Sequence, residues 1–311
     1  MAIQDGNCEL CRSLYYPERN RNTTLPRQAL VPRRGPDRSQ IGRGFPARGG
    51  VQDQFVSEPL NSEQVTGFIN DGYVRLKAAF PRSLADECVR LLWPRMEGKA
   101  DAPETWTRPV MRLPSWDAAP FTEAVNTSRL HAAFDQLVGP SRWCARRNPG
   151  LFVIRFPSSG DPGDAGWHID GSFDVGGEWW VNLWSRGRAL LMLFLFTDVG
   201  PDDAPTRIYI GSHMAVPPVL EPMGERGTHF ENVVPAVQNL DKLKVALAMG
   251  QAGDVYLCHP FLVHAASWPH RGTKPRFMAQ PELPPLAPLQ LTRADANYSA
   301  VEIAVRLGLG L

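Results

Sequence analysis

Residues 166–171 read Gly-Trp-His-Ile-Asp-Gly and place a histidine two positions before an aspartate. Because side chains alternate between the two faces of a β-strand, His168 and Asp170 would project from the same side of one. An imidazole and a carboxylate on one face can supply two of the three protein ligands of a facial metal site. A single H-x-D pattern also occurs by chance, so its interpretation depends on what the rest of the chain offers.

A third ligand is available much later, in a segment with the pattern of a buried strand. Residues 253–264 read GDVYLCHPFLVH and carry His259 and His264, either of which can complete the ligand set. A further predicted strand, RFMAQ, begins at Arg276. A guanidinium can bind a dicarboxylate through two parallel hydrogen bonds, which a lysine reproduces poorly. The order H-x-D, then His, then Arg is a much stronger signal than any one of its parts.

Helical patterns dominate the earlier part of the chain and strand patterns the later part. Asn61 to Gln64 form an N-cap signal, a second helix is predicted after Pro81, and a third begins at Thr127 or Ser128. Short apolar runs bounded by Gly, Pro and Asp predict strands at 73–76, 151–156, 189–197, 207–210, 254–258 and 276–279. This order predicts an α+β protein whose later half is a β-sandwich or a small barrel.

Composition excludes several classes of protein. The 311 residues include 33 basic and 32 acidic side chains, and the resulting net charge of +1 argues against a nucleic-acid binder or a binder of acidic membranes. The longest apolar run, 189–196, is too short to span a bilayer, so no membrane protein is expected. No apolar signal segment opens the chain, and five cysteines, an odd number, do not indicate a disulfide framework. A cytoplasmic location is therefore expected.

The first fifty residues differ from the rest. They contain nine Arg, no Lys and only four acidic residues, and they show no sustained helical or strand period. This composition predicts a disordered or poorly packed extension over residues 1–50. The length of the chain allows one large domain or two small ones, and the ordered part is expected to begin near Leu60.

Four stretches together resemble the phytanoyl-CoA dioxygenase family of Fe(II)/2-oxoglutarate-dependent oxygenases. They are GWHID (166–170), TDVGPDDAPTRIYIGSH (197–213), GDVYLCHPFLVHAA (253–266) and KPRFMAQP (274–281). The resemblance extends over residues 55–311. It implies a double-stranded β-helix, or jelly-roll, core with flanking N-terminal helices. It also implies oxidation of a small organic substrate with O2, Fe(II) and the cosubstrate 2-oxoglutarate.

The resemblance also assigns roles to individual residues. His168, Asp170 and His264 match the three iron ligands of the family, and Arg276 matches the residue that binds the distal carboxylate of 2-oxoglutarate. Arg112 lies about where the family has a basic contact to 2-oxoglutarate ahead of the barrel. Because halogenating relatives replace the carboxylate ligand with a small residue, Asp170 favours hydroxylation or another oxidation.

One position departs from the family pattern. Members often carry a hydroxyl two residues after the distal histidine, where this chain has Ala266, so that contact is lost or is replaced by Ser267. The resemblance makes His259 the histidine of a His-Pro pair and not a ligand. Two other functions stay open at this point. One is a metal-free, cupin-like binding or structural protein, and the other is a metal enzyme that does not use 2-oxoglutarate.

Overall fold

A computed structural model describes residues 59–311 of the chain. The extension expected over residues 1–50 lies outside the described residues, as do the first four residues of the expected domain. Within the described part, no helix is long and apolar enough to cross a membrane.

The first helix shows how local sequence sets the element boundaries. The Asn61 side chain accepts a hydrogen bond from the Gln64 amide at 2.9 Å, and the Gln64 side chain accepts one from the Asn61 amide at 3.0 Å. The helix ends at Gly72, whose φ of 84° is open to glycine at little cost. The helices are α1 (Ser62–Asp71), α2 (Arg82–Leu92), α3 (Ala119–Val125), α4 (Ser128–Val138), α5 (Pro217–Leu220), α6 (Val234–Val237) and α7 (Ala300–Gly308). Short 3-10 turns occupy Trp93–Arg95, Pro103–Thr105, Ser212–Met214, Glu221–Met223 and Phe230–Val233.

The described residues contain thirteen strands. They are β1 (Tyr73–Leu76), β2 (Val110–Pro114), β3 (Leu151–Arg155), β4 (Phe173–Val175), β5 (Glu178–Val181), β6 (Leu190–Leu195), β7 (Arg207–Tyr209), β8 (Thr228–His229), β9 (Val245–Leu247), β10 (Val255–Cys258), β11 (His264–Ala265), β12 (Arg276–Ala279) and β13 (Glu282–Leu283). The large sheet has the order β1-β10-β6-β12-β3-β2, with β13 also paired to β6. Two smaller sheets have the orders β11-β7-β9 and β4-β5-β8. The pairings are antiparallel, and the α+β class predicted from the sequence is confirmed.

Strand β6 lies at the centre of the core and is buried on both faces. Met192 and Phe194 pack into the cluster that includes the N-terminal helices. Leu191, Leu193 and Leu195 pack on the opposite side, with residues of the small sheet β11-β7-β9 such as Ile208. Burial on both faces explains why the run 189–196 is continuously apolar instead of alternating. The small sheet and its interior neighbours carry the candidate site.

Candidate metal centre

His168 and His264 are hydrogen-bonded neighbours on adjacent chain segments. The His168 amide donates to the His264 carbonyl at 3.0 Å, and the His264 amide donates back to the His168 carbonyl at 3.0 Å. His264 begins β11 and lies opposite Ile208 of β7. The H-x-D segment is therefore attached to the open edge of the small sheet, which brings the two imidazole rings to 4.5 Å between centroids.

The third member of the group, Asp170, completes a compact cluster. Its Oδ1 lies 3.8 Å from Nε2 of His168 and 3.7 Å from Nε2 of His264. One ligand atom from each of the three residues falls within 4.8 Å of the others, a spacing that a single metal ion can bridge. The H-x-D spacing thus does bring its two side chains to one side, although only His168 of the segment makes a β-bridge.

Hydrogen bonds orient both rings for metal binding. Nδ1 of His168 lies 2.8 Å from the Gly166 carbonyl, and Nδ1 of His264 lies 3.1 Å from the Leu262 carbonyl. Because a carbonyl oxygen can only accept, the neutral ring in each case carries its proton on Nδ1. The lone pair of Nε2 then faces the centre of the cluster, which is the arrangement that metal-bound histidines adopt.

The surroundings also favour the protonation states that a metal requires. Burial, reinforced by His168, lowers the pKa of His264 to about 4, so its imidazole is neutral at neutral pH. Burial on its own would raise the pKa of Asp170. The charge of Arg188, together with His264 and His168, outweighs this effect, so the pKa of Asp170 lies below its usual range. Asp170 is therefore an ionised carboxylate beside a neutral imidazole.

The other two histidines of the motif stretches face elsewhere. Nε2 of His213 bonds to the Ile69 carbonyl at 2.9 Å. His259 accepts at Nδ1 from the Phe261 amide at 3.1 Å, and its Nε2 lies 3.3 Å from the Val301 carbonyl. Both rings are fully buried in the protein interior, where they connect chain segments. Of the two candidates in residues 253–264, His264 is the one that the fold places beside His168 and Asp170.

These buried rings predict a loss of stability in mild acid. Burial lowers the pKa of His213 to about 4, whereas an unfolded histidine titrates near 6.5. Below pH 6.5 the unfolded chain therefore binds a proton that the folded chain does not bind, and the free energy of unfolding falls as the pH decreases towards 4. At pH 5 the loss for His213 is up to about 2 kcal/mol. The pKa of His259 is also lowered, which adds in the same direction.

Urea unfolding of the metal-free protein at pH 7.5 and pH 5 measures this loss. His213→Gln keeps a donor for the Ile69 carbonyl but does not titrate, so its unfolding free energy should change less between the two pH values. Equal pH dependence in the wild type and this variant would contradict the prediction.

A cavity of about 210 Å³ joins the histidines to a group of arginines. His168 and His264 line one part of it, and Arg276, Arg155 and Arg112 line another. The remaining lining residues are Leu151, Val153, Asp164, Thr206, Ala266, Met278 and Gln280. The cavity thus offers cationic side chains in the same small volume as the candidate metal ligands.

Arg276 is the most deeply buried of these cations. Its side chain is 2% exposed, it donates from Nη1 to the Ala204 carbonyl, and its Nε has no hydrogen-bond partner among the described residues. It lies directly opposite Arg155 in the pairing of β12 with β3. Burial, followed by the charge of Arg155, lowers the pKa of Arg276 to about 9, which leaves it cationic at neutral pH. Two like charges opposite each other in a sheet are destabilising unless an anion compensates them.

Arg112 lies at the exposed side of the cavity and shares a carboxylate with Arg155. Asp164 accepts from Nη2 of Arg112 at 2.6 Å and from Nη2 of Arg155 at 2.7 Å. Among the described residues, the three arginines therefore share one directly paired carboxylate, and the cavity keeps an excess of positive charge. Sequence reasoning missed both Arg155 and Asp164. The cross-strand register that places Arg155 opposite Arg276 cannot be predicted from the sequence of either strand alone.

Comparison with known proteins assigns the family. The sequence model of the family described as Phytanoyl-CoA dioxygenase (PhyH) matches residues 70–278, which is well over half of the chain. The chain belongs to this family. The resemblance found in the sequence is thereby confirmed, and the protein is an Fe(II)/2-oxoglutarate-dependent oxygenase. No curated protein matches the chain in sequence.

Solved structures of similar proteins are distant in sequence. HygX from Streptomyces hygroscopicus, solved with nickel, 2-oxoglutarate and hygromycin B, is 18% identical with a TM-score of 0.49, and the match covers 77% of this chain and 95% of that one. SnoK, described as a non-heme alpha-ketoglutarate-dependent carbocyclase from nogalamycin biosynthesis, is 15% identical with a TM-score of 0.48 and coverages of 73% and 85%.

The residues present fit the cofactors of the phytanoyl-CoA dioxygenase family. Iron in such enzymes is bound by two histidines and one carboxylate, and that donor set is present here with both Nε2 lone pairs free. A dicarboxylate cosubstrate requires a cationic partner, and Arg276 offers a buried Nε–H that has no acceptor within residues 59–311. Both requirements are met within one cavity.

Proposed function

We propose that His168, Asp170 and His264 bind Fe(II) and that 2-oxoglutarate lies in the adjoining cavity with its distal carboxylate on Arg276. The enzyme would use this pair to oxidise, most simply to hydroxylate, a C–H bond of a small organic substrate. The observation that carries the proposal is the shared cavity, which has two candidate metal ligands and a buried, incompletely paired guanidinium on its walls.

The bound cofactors supply the oxidising power, since reductive activation of O2 is coupled to decarboxylation of 2-oxoglutarate to succinate. The chain positions them. The Nδ1 bonds of His168 and His264 fix their rings, and the ionised Asp170 neutralises part of the metal charge. Val153 and Met278 add apolar surface to the wall of the same cavity.

Charge supports a dianion in this cavity. Arg155 and Arg276 are both buried, while Asp164 is the carboxylate in direct contact with Arg155. A diacid that chelates the metal at one end would place its far carboxylate near Arg276 and relieve the repulsion between the two guanidinium groups. Arg112 would then act at the exposed side, through Asp164, and not as the main contact.

A threonine can replace the hydroxyl that the family carries at the position of Ala266. Thr206 and Ala266 both line the cavity, and the hydrogen-bond partner of the Thr206 hydroxyl within residues 59–311 is the sulfur of Met278, at 3.7 Å. The Ser267 hydroxyl, by contrast, donates to the Pro205 carbonyl at 2.6 Å. We therefore propose Thr206, and not Ser267, as the hydroxyl that faces the cosubstrate.

Thr206→Val is expected to weaken 2-oxoglutarate binding about three- to tenfold, the equivalent of one hydrogen bond. Ser267→Ala is the matched control and should leave the dissociation constant unchanged, because its hydroxyl is already bonded to backbone. Isothermal titration of the metal-loaded, anaerobic proteins measures both. A larger effect in Ser267→Ala than in Thr206→Val would reverse the assignment.

We also propose that residues 55–311 form a single catalytic domain and that the large sheet and the β11-β7-β9 sheet are the two halves of a double-stranded β-helix. The clusters on the two faces of β6 support this, because the face with Leu193 packs towards Ile208 of the small sheet. Closure of two sheets around a shared interior would direct the ligands of the small sheet into the barrel.

Anaerobic titration tests the function. The Fe(II)-loaded protein should develop a metal-to-ligand absorption band on addition of 2-oxoglutarate, and O2 should then yield succinate. Candidate small molecules that raise succinate formation identify the substrate class. Metal binding without the band would favour a metal enzyme that does not use 2-oxoglutarate, and failure to bind metal would favour a cupin-like binding protein.

A further inference from the structure

A buried arginine, Arg188, lies behind the carboxylate of Asp170. Its Nε and Nη2 donate to the Gly171 carbonyl at 3.2 and 2.8 Å. Its remaining terminal nitrogen, Nη1, is buried and has no hydrogen-bond partner among the described residues. That nitrogen is 3.4 Å from Oδ2 of Asp170. The guanidinium is therefore anchored to the residue after the ligand and directed at the ligand itself.

A tight turn places this arginine. The Arg188 amide donates to the Ser185 carbonyl at 3.0 Å, and the Ser185 hydroxyl donates to the Arg188 carbonyl at 2.7 Å. At Gly187 an added Cβ would lie only 1.9 Å from the Ser172 carbonyl oxygen, so the turn packs against the chain that follows Asp170. The position of Arg188 is thus set by backbone contacts and not by its own flexible side chain.

Asp170 is also the natural anionic partner of Arg188. The other nearby carboxylate, Glu282, is bound to Arg146 at 2.6 Å. Among the described residues, Asp170 is the only carboxylate within salt-bridge distance of Arg188. Its two oxygens therefore have different neighbours, because Oδ1 faces the two histidine nitrogens and Oδ2 faces Arg188.

We propose that Arg188 is a positioning residue that holds Oδ2 of Asp170 and thereby restricts this carboxylate to binding the metal through Oδ1 alone. A charge-assisted hydrogen bond to Oδ2 competes with its approach to the metal. This inference rests on the proposed function, since it requires a metal between His168, Asp170 and His264. A carboxylate bound through one oxygen leaves free a coordination position that 2-oxoglutarate or O2 needs.

The proposal predicts opposite effects on metal and cosubstrate. In Arg188→Gln, Oδ2 is released and can chelate the metal, so affinity for Co(II) alone should be equal to or higher than that of the wild type. Affinity of the Co(II)-loaded protein for 2-oxoglutarate should fall about tenfold or more, the equivalent of about 1.4 kcal/mol, because Oδ2 then competes with the cosubstrate for a coordination position. Arg186→Gln, an exposed residue of the same turn that stacks on Phe173, is the matched control and should behave as wild type.

Titrations followed by the visible spectrum of Co(II) measure both affinities. A parallel loss of affinity for Co(II) and for 2-oxoglutarate in Arg188→Gln would show that Arg188 only supports the local structure, and it would overturn the proposal. No change in either affinity would also overturn it. If the wild type itself bound no metal, the proposed function would fail instead, so the two failures are distinguishable.

A second measurement needs no variant. A crystal structure of the wild-type protein with Co(II) should show one oxygen of Asp170 on the metal and the other hydrogen-bonded to Nη1 of Arg188. Both oxygens on the metal, with Arg188 bonded only to the Gly171 carbonyl, would overturn the proposal even if Arg188→Gln failed to fold.

Discussion

Replacement of Arg276 by alanine is expected to weaken 2-oxoglutarate binding about a hundredfold or more. The side chain is 2% exposed and its Nε has no acceptor in the part of the chain that the structure describes, so its contact with a carboxylate would be buried and charge-assisted. Truncating one partner of such a pair costs a few kcal/mol, because the other charge is left buried and unpaired. Titration of the anaerobic, Fe(II)-loaded protein with 2-oxoglutarate, followed by the metal-to-ligand absorption band, measures the change.

Two further variants make this result specific. Arg276→Lys should recover only part of the affinity, because an ammonium cannot reproduce a two-pronged contact. Arg271→Ala removes an exposed arginine from the segment just before β12 and should leave affinity unchanged. Fe(II) binding should be similar in all three variants, since the proposed ligands are untouched. Equal 2-oxoglutarate affinity in Arg276→Ala and the wild type would remove Arg276 from the cosubstrate site.

Arg276 also illustrates how much of this site can be predicted from the sequence alone. Its position at the start of an apolar run predicted a strand, and its place after the later histidine suggested a carboxylate contact. Arg155 ends a similar run but carries no such signal, because only the register of β3 against β12 places it opposite Arg276. Asp164 and Arg188 depend in the same way on contacts between distant segments, and both were missed.

Strong local signals in the sequence predicted several helices and strands of the fold correctly. The N-cap signal at Asn61 and the apolar runs at 151–156 and 276–279 correspond to α1, β3 and β12, with boundaries that agree to within a residue or two. Helix α7 was missed although its capping box is present in the sequence, with Ser299 as N-cap and Glu302 three residues later.

Gly176 and Gly177 form the turn of a hairpin that joins β4 to β5. Glycine pairs of this kind are typical of hairpin turns, so this element too has a local signal in the sequence. The double-stranded arrangement that we propose for the sheets could not be predicted in this way. It would depend on which distant strands pair with one another, and no local sequence pattern encodes that pairing.

Removal of the His264 imidazole is expected to cost more than any change behind the ligands. Outer-shell changes typically reduce metal affinity ten- to hundredfold, so loss of a direct ligand should exceed about a hundredfold. His264 is buried, with its Nε2 3.7 Å from Oδ1 of Asp170 and its Nδ1 bonded to the Leu262 carbonyl. His259, the other histidine of this stretch, is not placed to substitute, because its ring nitrogens bond to Phe261 and Val301.

The matched pair is His264→Ala and His259→Gln, two histidines from the same stretch of chain. His259→Gln should keep Fe(II) affinity within a few-fold of the wild type but lower the free energy of unfolding, because it disturbs a buried contact with α7. His264→Ala should lose Fe(II) affinity, because it removes one of the three proposed ligands. Titration with Fe(II) under anaerobic conditions, together with urea unfolding of the metal-free proteins, separates the two. Loss of metal affinity in His259→Gln with retention in His264→Ala would transfer the ligand role to His259 and require a different arrangement of the centre.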